Sequence, residues 1–334
     1  MTGAAAFSSR LAPVIERYVG LKRALGRSFD NPTRTLQSLD RFLQAHTTAY
    51  PDLTAAAFQA WCQTHEHVAS GSRRARMLEV HNFCLYRRRM EPHCFVPNPA
   101  SFPKCHQRLQ PYIFSEQDVA RLLRAASGLK RVRSSPLRPE VIRLAIMLLF
   151  TTGIRRGELV RLTLGDYDKQ NATLLIRESK FHKSRLLPLN DDIVDEMERY
   201  LRARTLRKLP ISSDTALIWN ATKGGRAYSG ANLRGRPRPV LQQCSIFTAK
   251  GQLPRIHDFR HAFAVNALLR WYRQGADVGA KLPLLATYMG HVSIVSTHYY
   301  LHWIEPLRTA ANERFASHYG KLVVPVLSRK GGRR

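Results

Sequence analysis

Two adjacent tyrosines, Tyr299 and Tyr300, sit in the polar stretch VSTHYYLHW (295–303), eight and nine residues after the pair Gly290-His291. A tyrosine in that setting could be an amphipathic side chain at a surface, or a nucleophile with arginines and histidines gathered around it. Three earlier stretches could supply those partners: TTGIRRGELVRL (151–162), ESKFHKSRLLPL (178–189) and HDFRHAFA (257–264). The chemistry that suits such a set is transfer of a phosphodiester. Its negative charge repels nucleophiles, and the charge of the pentacoordinate arrangement must be stabilised; fixed cations can do this without a metal. Arginine fits because its planar fork binds two phosphate oxygens and keeps its proton. A tyrosine nucleophile, unlike water, leaves a covalent link that retains the energy of the broken bond. A second hydroxyl can then rejoin the strand without ATP.

Charge points the same way. Among 334 residues, Lys and Arg number 53 against 24 Asp and Glu, a net charge of +29. Self-repulsion on that scale is relieved by a polyanion, and nucleic acid is the polyanion that gains most through counterion release. An anionic membrane surface is the rival, but no segment approaches the roughly 18–20 apolar residues of a span. The N-terminus also lacks a basic region followed by a sustained apolar one. The expected location is cytoplasmic, with the nucleoid. The five cysteines, Cys62, Cys84, Cys94, Cys105 and Cys244, are irregularly spaced and read as reduced thiols. His93-Cys94 and Cys105-His106 match no zinc-finger spacing, so neither metal nor cofactor is expected.

The elements that must position these residues are mostly helices. Leu11, Val14, Ile15, Tyr18, Leu21 and Leu25 recur at helical steps, with Gly26 as the stop. Asn31-Pro32 reads as an N-cap followed by proline at the first helical position, opening a helix with Leu36, Leu39 and Leu43 on one face. A third helix contains Phe58, Trp61 and Cys62, and a fourth spans about 72–89. That fourth helix carries Arg73, Arg74, Arg76, Arg87, Arg88 and Arg89 with almost no compensating acid, so these six are assigned to DNA phosphates. Prolines at 92, 97, 99, 103 and 111 exclude a regular helix there. Ser115 then caps a helix with Val119, Leu122 and Leu123, and the almost wholly apolar run at about 139–152 is a central core helix ended by Gly153. TLLIRES and SRLLPLN read as two strands with KFHK in their turn, 220–238 as a loop, and DFRHAFAVNALLRWY and LPLLATYMG as helices. The fold class is mainly α with a small antiparallel β-sheet.

With all four stretches in this order, and Tyr300 nine residues after His291, the chain resembles the tyrosine recombinases, the phage-integrase family. The resemblance covers roughly residues 112–320. It implies an N-terminal helical bundle (1–92) acting as a DNA-binding domain and a proline-rich linker (93–111). It further implies an integrase-like catalytic domain (112–320) and a basic tail (321–334). Carried over by position, it implies that Arg155 and Arg260 hold the phosphate and that Lys180 is the general acid. His257 and His291 would bond the phosphate or move the tyrosine proton, and Tyr300 would attack. Lys183 and His182 compete with Lys180, and His261 with His257; Lys183 and Arg185 are also assigned to DNA. Glu158 is expected to orient an arginine or lysine, or to be a structural ion pair. The implied partners are double-stranded DNA with specific recombination sites and further copies of the chain. These would form a homotetramer on DNA, a monomer or dimer when free, with helper recombinases and no membrane. The insert near 270–281, the basic loop 222–239 and the missing glycines around Lys180 depart from the family pattern, and the long insert together with the basic C-terminal tail resembles transposon-borne members. A type IB topoisomerase and a catalytically silent DNA-binding accessory protein remain as alternatives.

Overall fold

A computed structural model describes residues 7–104, 110–177, 184–222, 225–291 and 309. Its contacts divide the chain into two units, one ending at Gln110 and one starting at Pro111. Among the described residues no helix is long and apolar enough to cross a membrane.

The first unit is built from α1 (Ala12–Ala24), α2 (Asp30–Ala45), α3 (Ala55–Gln63) and α4 (Ser70–Arg87). The apolar periodicity becomes one core, in which Ile15, Tyr18, Leu36, Leu39, Trp61 and Phe83 are almost wholly buried. The stripe on α1 is narrower than its sequence suggests. Leu21 and Leu25 are 41% and 65% exposed, and Val19 faces inward instead. Burial follows the 11, 14, 15, 18 steps into 19, and by Leu21 the helix has turned away from its neighbours. The start of α2 also differs. Its N-cap is Phe29, in the left-handed region at φ 51°, and the helix begins at Asp30, which puts Pro32 inside the first turn, where no amide is needed. Thr54 caps α3, accepting a hydrogen bond from the Ala57 amide at 3.2 Å. After α4 the only regular piece among the described residues before 111 is a 3-10 turn, Pro99–Ser101, and Phe102 just beyond it packs against Phe58 in this core.

Arg87 corrects its assignment to DNA. Its side chain is 4% exposed, and its guanidinium donates to both carboxylate oxygens of Asp52 at 2.7 Å and to Glu91 at 2.9 and 2.5 Å. A guanidinium already satisfied by two carboxylates has no reason to seek a phosphate. Arg88 and Arg89, one step further, are exposed, while Arg73, Arg74 and Arg76 are half-buried. Arg74 reaches the Phe102 and Pro103 carbonyls at 3.3 Å.

The second unit is arranged around α6 (Arg138–Thr152), nine of whose residues are buried. It packs against α5 (Glu116–Ser127), α8 (Asp191–Leu206) and α11 (Asp258–Arg273). An all-round apolar helix can only be stable with neighbours on every side, and it has them. Ser115 opens α5 through a reciprocal cap with Asp118. Beyond α6, the short α7 (Arg156–Leu159) leads into an antiparallel sheet of β1 (Tyr167–Asp168), β2 (Thr173–Ile176) and β3 (Arg185–Pro188), in that order. Leu174 pairs with Leu187 facing the core, while Leu186 is 64% exposed, so the strands alternate as the two-residue period requires. The turn expected to carry Lys180 and Lys183 lies outside the described residues. The stretch 220–238 is more ordered than a loop. β4 (Trp219–Asn220) pairs with β5 (Arg226–Ala227), followed by α9 (Gly230–Gly235) and α10 (Arg238–Gln243). Gly225 permits this hairpin: at φ 97°, a side chain there would collide with the Trp219 ring. α11 and α12 (Val278–Met289) then pack through Val265, Leu268, Leu282 and Leu285.

The Arg87 cluster generates a prediction. Arg87→Ala should destabilise the first unit by on the order of 2–3 kcal/mol in urea unfolding; the figure is below that for a fully buried pair because Asp52 and Glu91 are partly exposed. Arg88→Ala, at an exposed site, should leave the unfolding midpoint unchanged.

Candidate active site

The site is organised by the C-terminal end of α12. A helix end leaves carbonyls without intrahelical partners and carries the negative end of the helix dipole. Here three successive carbonyls are each taken by a different arginine. Tyr288 O accepts from Arg185 Nε at 2.9 Å, Met289 O from Arg260 Nη2 at 2.6 Å, and Gly290 O from Arg155 Nη2 at 2.6 Å. The three arginines come from separate elements. Arg155 is the extended N-cap of α7, Arg185 opens β3, and Arg260 is in the first turn of α11. Arg260 also donates to Gly153 O, the C-cap of α6, at 2.5 Å and is 2% exposed.

Two glycines make the approach possible. Gly153 (φ 60°) and Gly290 (φ 67°) both end helices in the left-handed region, which favours glycine. A Cβ on Gly290 would stand 2.8 Å from Arg185 Nη1 and 3.4 Å from Arg155 Nη1, and one on Gly153 would overlap the Phe263 ring. Gly290 turns the chain so that the His291 amide donates to Ala286 O at 2.8 Å, which fixes His291 directly after the three carbonyls.

Glu158, 3% exposed, is the carboxylate of this cluster. Its Oε1 accepts from Arg155 Nη1 (2.8 Å) and Arg185 Nη1 (3.2 Å), and its Oε2 from the Arg155 amide (2.9 Å) and Arg185 Nη2 (2.9 Å). Burial by itself would push its pKa up. The Arg185 hydrogen bonds, the Arg155 amide and the adjacent positive charges outweigh burial and hold it at about 2. Three guanidiniums against one carboxylate leave the cluster positive.

The histidines respond to that charge. Burial first, then the charges of Arg260 and Arg155, bring His291 down to about 4. Burial and Arg260 lower His257, the N-cap of α11. His261, one turn on, also falls to about 4 through burial and the neighbouring His257, whose ring it meets edge-on at 4.8 Å. At neutral pH all three are neutral imidazoles, able to donate at one nitrogen and accept at the other.

Arg155, His257, Arg260 and His291 are therefore brought together, whereas Lys180, Lys183, Tyr299 and Tyr300 lie outside the described residues. Arg185, expected to contact DNA, has a side chain 12% exposed and tied to Glu158 and Tyr288 O within the same cluster. Glu158 forms ion pairs with two arginines, Arg155 and Arg185. Sequence reasoning missed the carbonyls of Tyr288, Met289 and Gly290. No residue type advertises them, and the only signal was a glycine at a helix end.

The histidine shifts set a pH dependence. A histidine whose folded pKa lies below the unfolded value of about 6.5 binds fewer protons folded than unfolded. Its contribution is therefore present above 6.5 and is lost as the pH falls toward 4. Glu158, held near 2, stays ionised throughout that window. The unfolding free energy should thus decline from pH 6.5 to 4, and His291→Asn should flatten the slope by up to about 1.4 kcal/mol per pH unit. An unchanged slope would contradict a neutral buried His291.

Known proteins share this arrangement of the chain. The model of the phage integrase family matches residues 113–305. A putative integrase/recombinase (y4rB) of Sinorhizobium fredii strain NGR234 is 31% identical over 295 residues, which cover 88% of this chain and 93% of that protein. Among solved structures, the XerH site-specific recombinase bound to palindromic difH substrate superposes with a TM-score of 0.61 at 16% identity, covering 90% of this chain and 83% of the other. The Tn1549 transposon integrase in complex with a circular intermediate DNA gives 0.61 at 17% identity, covering 90% and 99%. These two share the fold, mainly helical with a small antiparallel sheet. On the family match and the relative that spans nearly the whole chain, this protein belongs to the phage integrase family.

Proposed function

We propose that the chain is a site-specific DNA recombinase that cleaves and rejoins strands through a 3′-phosphotyrosyl intermediate on Tyr300. The observation that carries this reading is the positive cluster at the end of α12, where Arg155 and Arg260 are held on neighbouring carbonyls beside neutral His257 and His291. The near full-length likeness to an integrase/recombinase supports it over a topoisomerase or a silent accessory protein.

In this scheme Arg155 and Arg260 bind the two non-bridging oxygens of the scissile phosphate. Fixed donors cost no reorganisation when charge builds up in the transition state. The Tyr300 hydroxyl attacks phosphorus, a new P–O bond forms, and the bond to the 5′-oxygen breaks. His257 or His291, neutral and with an acceptor nitrogen, can take the phenol proton. Lys180 gives the departing 5′-oxygen its proton. An ordinary lysine pKa near 10.4 makes a poor donor at neutral pH, and a cationic neighbourhood lowers it toward the useful range. Rejoining reverses these steps with a new 5′-hydroxyl.

Duplex DNA carrying specific sites is the substrate. Arg88 and Arg89 are the exposed candidates for phosphate contact in the first unit, with Arg73, Arg74 and Arg76 beside them and Lys183 in the second. The residues from 1 to 92 serve as a DNA-binding domain, 93–111 as a connection, 112–320 as the catalytic domain and 321–334 as a basic tail. Exchange between two duplexes needs four cleavages, which calls for a homotetramer on DNA, with residues 306–327 reaching a neighbour. Such a protein works where the chromosome is, with the nucleoid. The insert near 270–281 and the basic C-terminal end favour a mobile-element substrate.

On a nicked duplex that traps the cleaved state, the wild-type chain should become covalently attached to DNA, whereas Tyr300→Phe should bind equally well and form no adduct. An adduct that persists in Tyr300→Phe would move the nucleophile elsewhere. Arg155→Ala should lower the rate of adduct formation by about 3–4 kcal/mol in transition-state stabilisation, the scale of a lost oxyanion donor.

A further inference from the structure

Arg185 opens β3 opposite Ile176 of β2, and its guanidinium reaches two places at once. Nε donates to Tyr288 O at 2.9 Å, while Nη1 and Nη2 span the carboxylate of Glu158 at 3.2 and 2.9 Å. Each oxygen of Glu158 therefore takes one bond from Arg185 and one from Arg155. We infer that Arg185 is a positioning residue for the strand-transfer step: by holding Glu158 and the end of α12, it keeps Arg155 available to a phosphate. This rests on the reading of Arg155 as a phosphate ligand.

The argument is one of competition. Glu158 is nearly dry, and a buried carboxylate draws any guanidinium within reach. With Arg155 as its sole partner, it could swing to grip that side chain with both oxygens. Arg155 would then be neutralised and turned away from the DNA. With Arg185 spanning both oxygens, Arg155 contributes only Nη1 and its own amide to Glu158. Its Nη2 rests on Gly290 O, a neutral acceptor, so Arg155 has only a share of one carboxylate to set against its charge. The planar fork is needed for this, because an ammonium is a point charge that cannot bridge two oxygens and a carbonyl in fixed directions. The space has been kept clear for it, since a Cβ on residue 290 would stand 2.8 Å from Arg185 Nη1.

The test uses the full chain and a nicked duplex whose sequence is taken from DNA that the wild-type chain captures covalently. Two versions are compared, one with a normal scissile phosphodiester and one with a methylphosphonate. The methylphosphonate has lost its charge, so an arginine that neutralises charge contributes little to its cleavage. Arg185→Lys should slow single-turnover cleavage of the phosphodiester by at least about tenfold while DNA affinity stays within about twofold, the scale of a misplaced binding group. On the methylphosphonate the loss should shrink to under about threefold. Equal slowing on both substrates would mean that Arg185 acts through folding alone, and no slowing would mean that it has no part; either result overturns the inference. If Arg185→Lys does not fold, Arg185→Gln, which keeps a donor for Tyr288 O, is measured in the same way. If the wild-type chain captures no DNA at all, it is the recombinase reading that fails.

Discussion

Three consecutive carbonyls at the end of α12, each holding a different arginine, are the constraint on which the second unit's chemistry depends. Like charges do not gather unless something holds them. The end of a helix is suited to that, because its unpaired oxygens and dipole are both negative without adding a formal charge. Carboxylates could gather the arginines equally well, but they would cancel the charge that the proposed mechanism sets against a phosphate. The cluster uses carbonyls for Arg260, one shared carboxylate for Arg155 and Arg185, and so keeps a net positive corner.

The same interaction orders the rest of the unit. Arg260 joins the C-terminus of α6 to that of α12 through Gly153 O and Met289 O. Arg185 joins the sheet to α12, and Arg155 joins α7 to it. The central helix, the sheet and the α11–α12 pair are thus bound at one point, the point to which the histidines are also attached. Burial first, and the positive corner second, keep those histidines neutral. An imidazolium beside three guanidiniums and away from water would be doubly penalised. Neutral imidazoles can relay a proton at physiological pH, which permanently charged ones could not.

Much of this could be read from the sequence, for identifiable reasons. α6 announced itself because an all-apolar run has nowhere to go but the core, and Gly153 marked its end. The strands on either side of 180–183 were visible as two short apolar runs about a polar turn, and Arg155, His257, Arg260 and His291 in the order of four short motifs. What failed were properties set by distant partners. Arg87 looked like a DNA ligand because the helix around it is rich in arginine and almost without acid. Its carboxylates are Glu91, just beyond the helix, and Asp52, 35 residues away, while Arg185 meets Glu158, 27 residues away. The hairpin of β4 and β5 was hidden because glycine and arginine read as loop, although Gly225 is there to pass the Trp219 ring. Phe29, not Asn31, caps α2 because a left-handed residue at 29 already ends the preceding turn.

The central claim is that the arginines on the α12 carbonyls form the seat of the scissile phosphate. A structure of the chain trapped on cleaved target DNA measures this directly. The account predicts guanidinium nitrogens of Arg155 and Arg260 at about 3 Å from the non-bridging oxygens, with Arg185 still bound to Glu158 and Tyr288 O. A scissile phosphate lying beyond the reach of both arginines would contradict it.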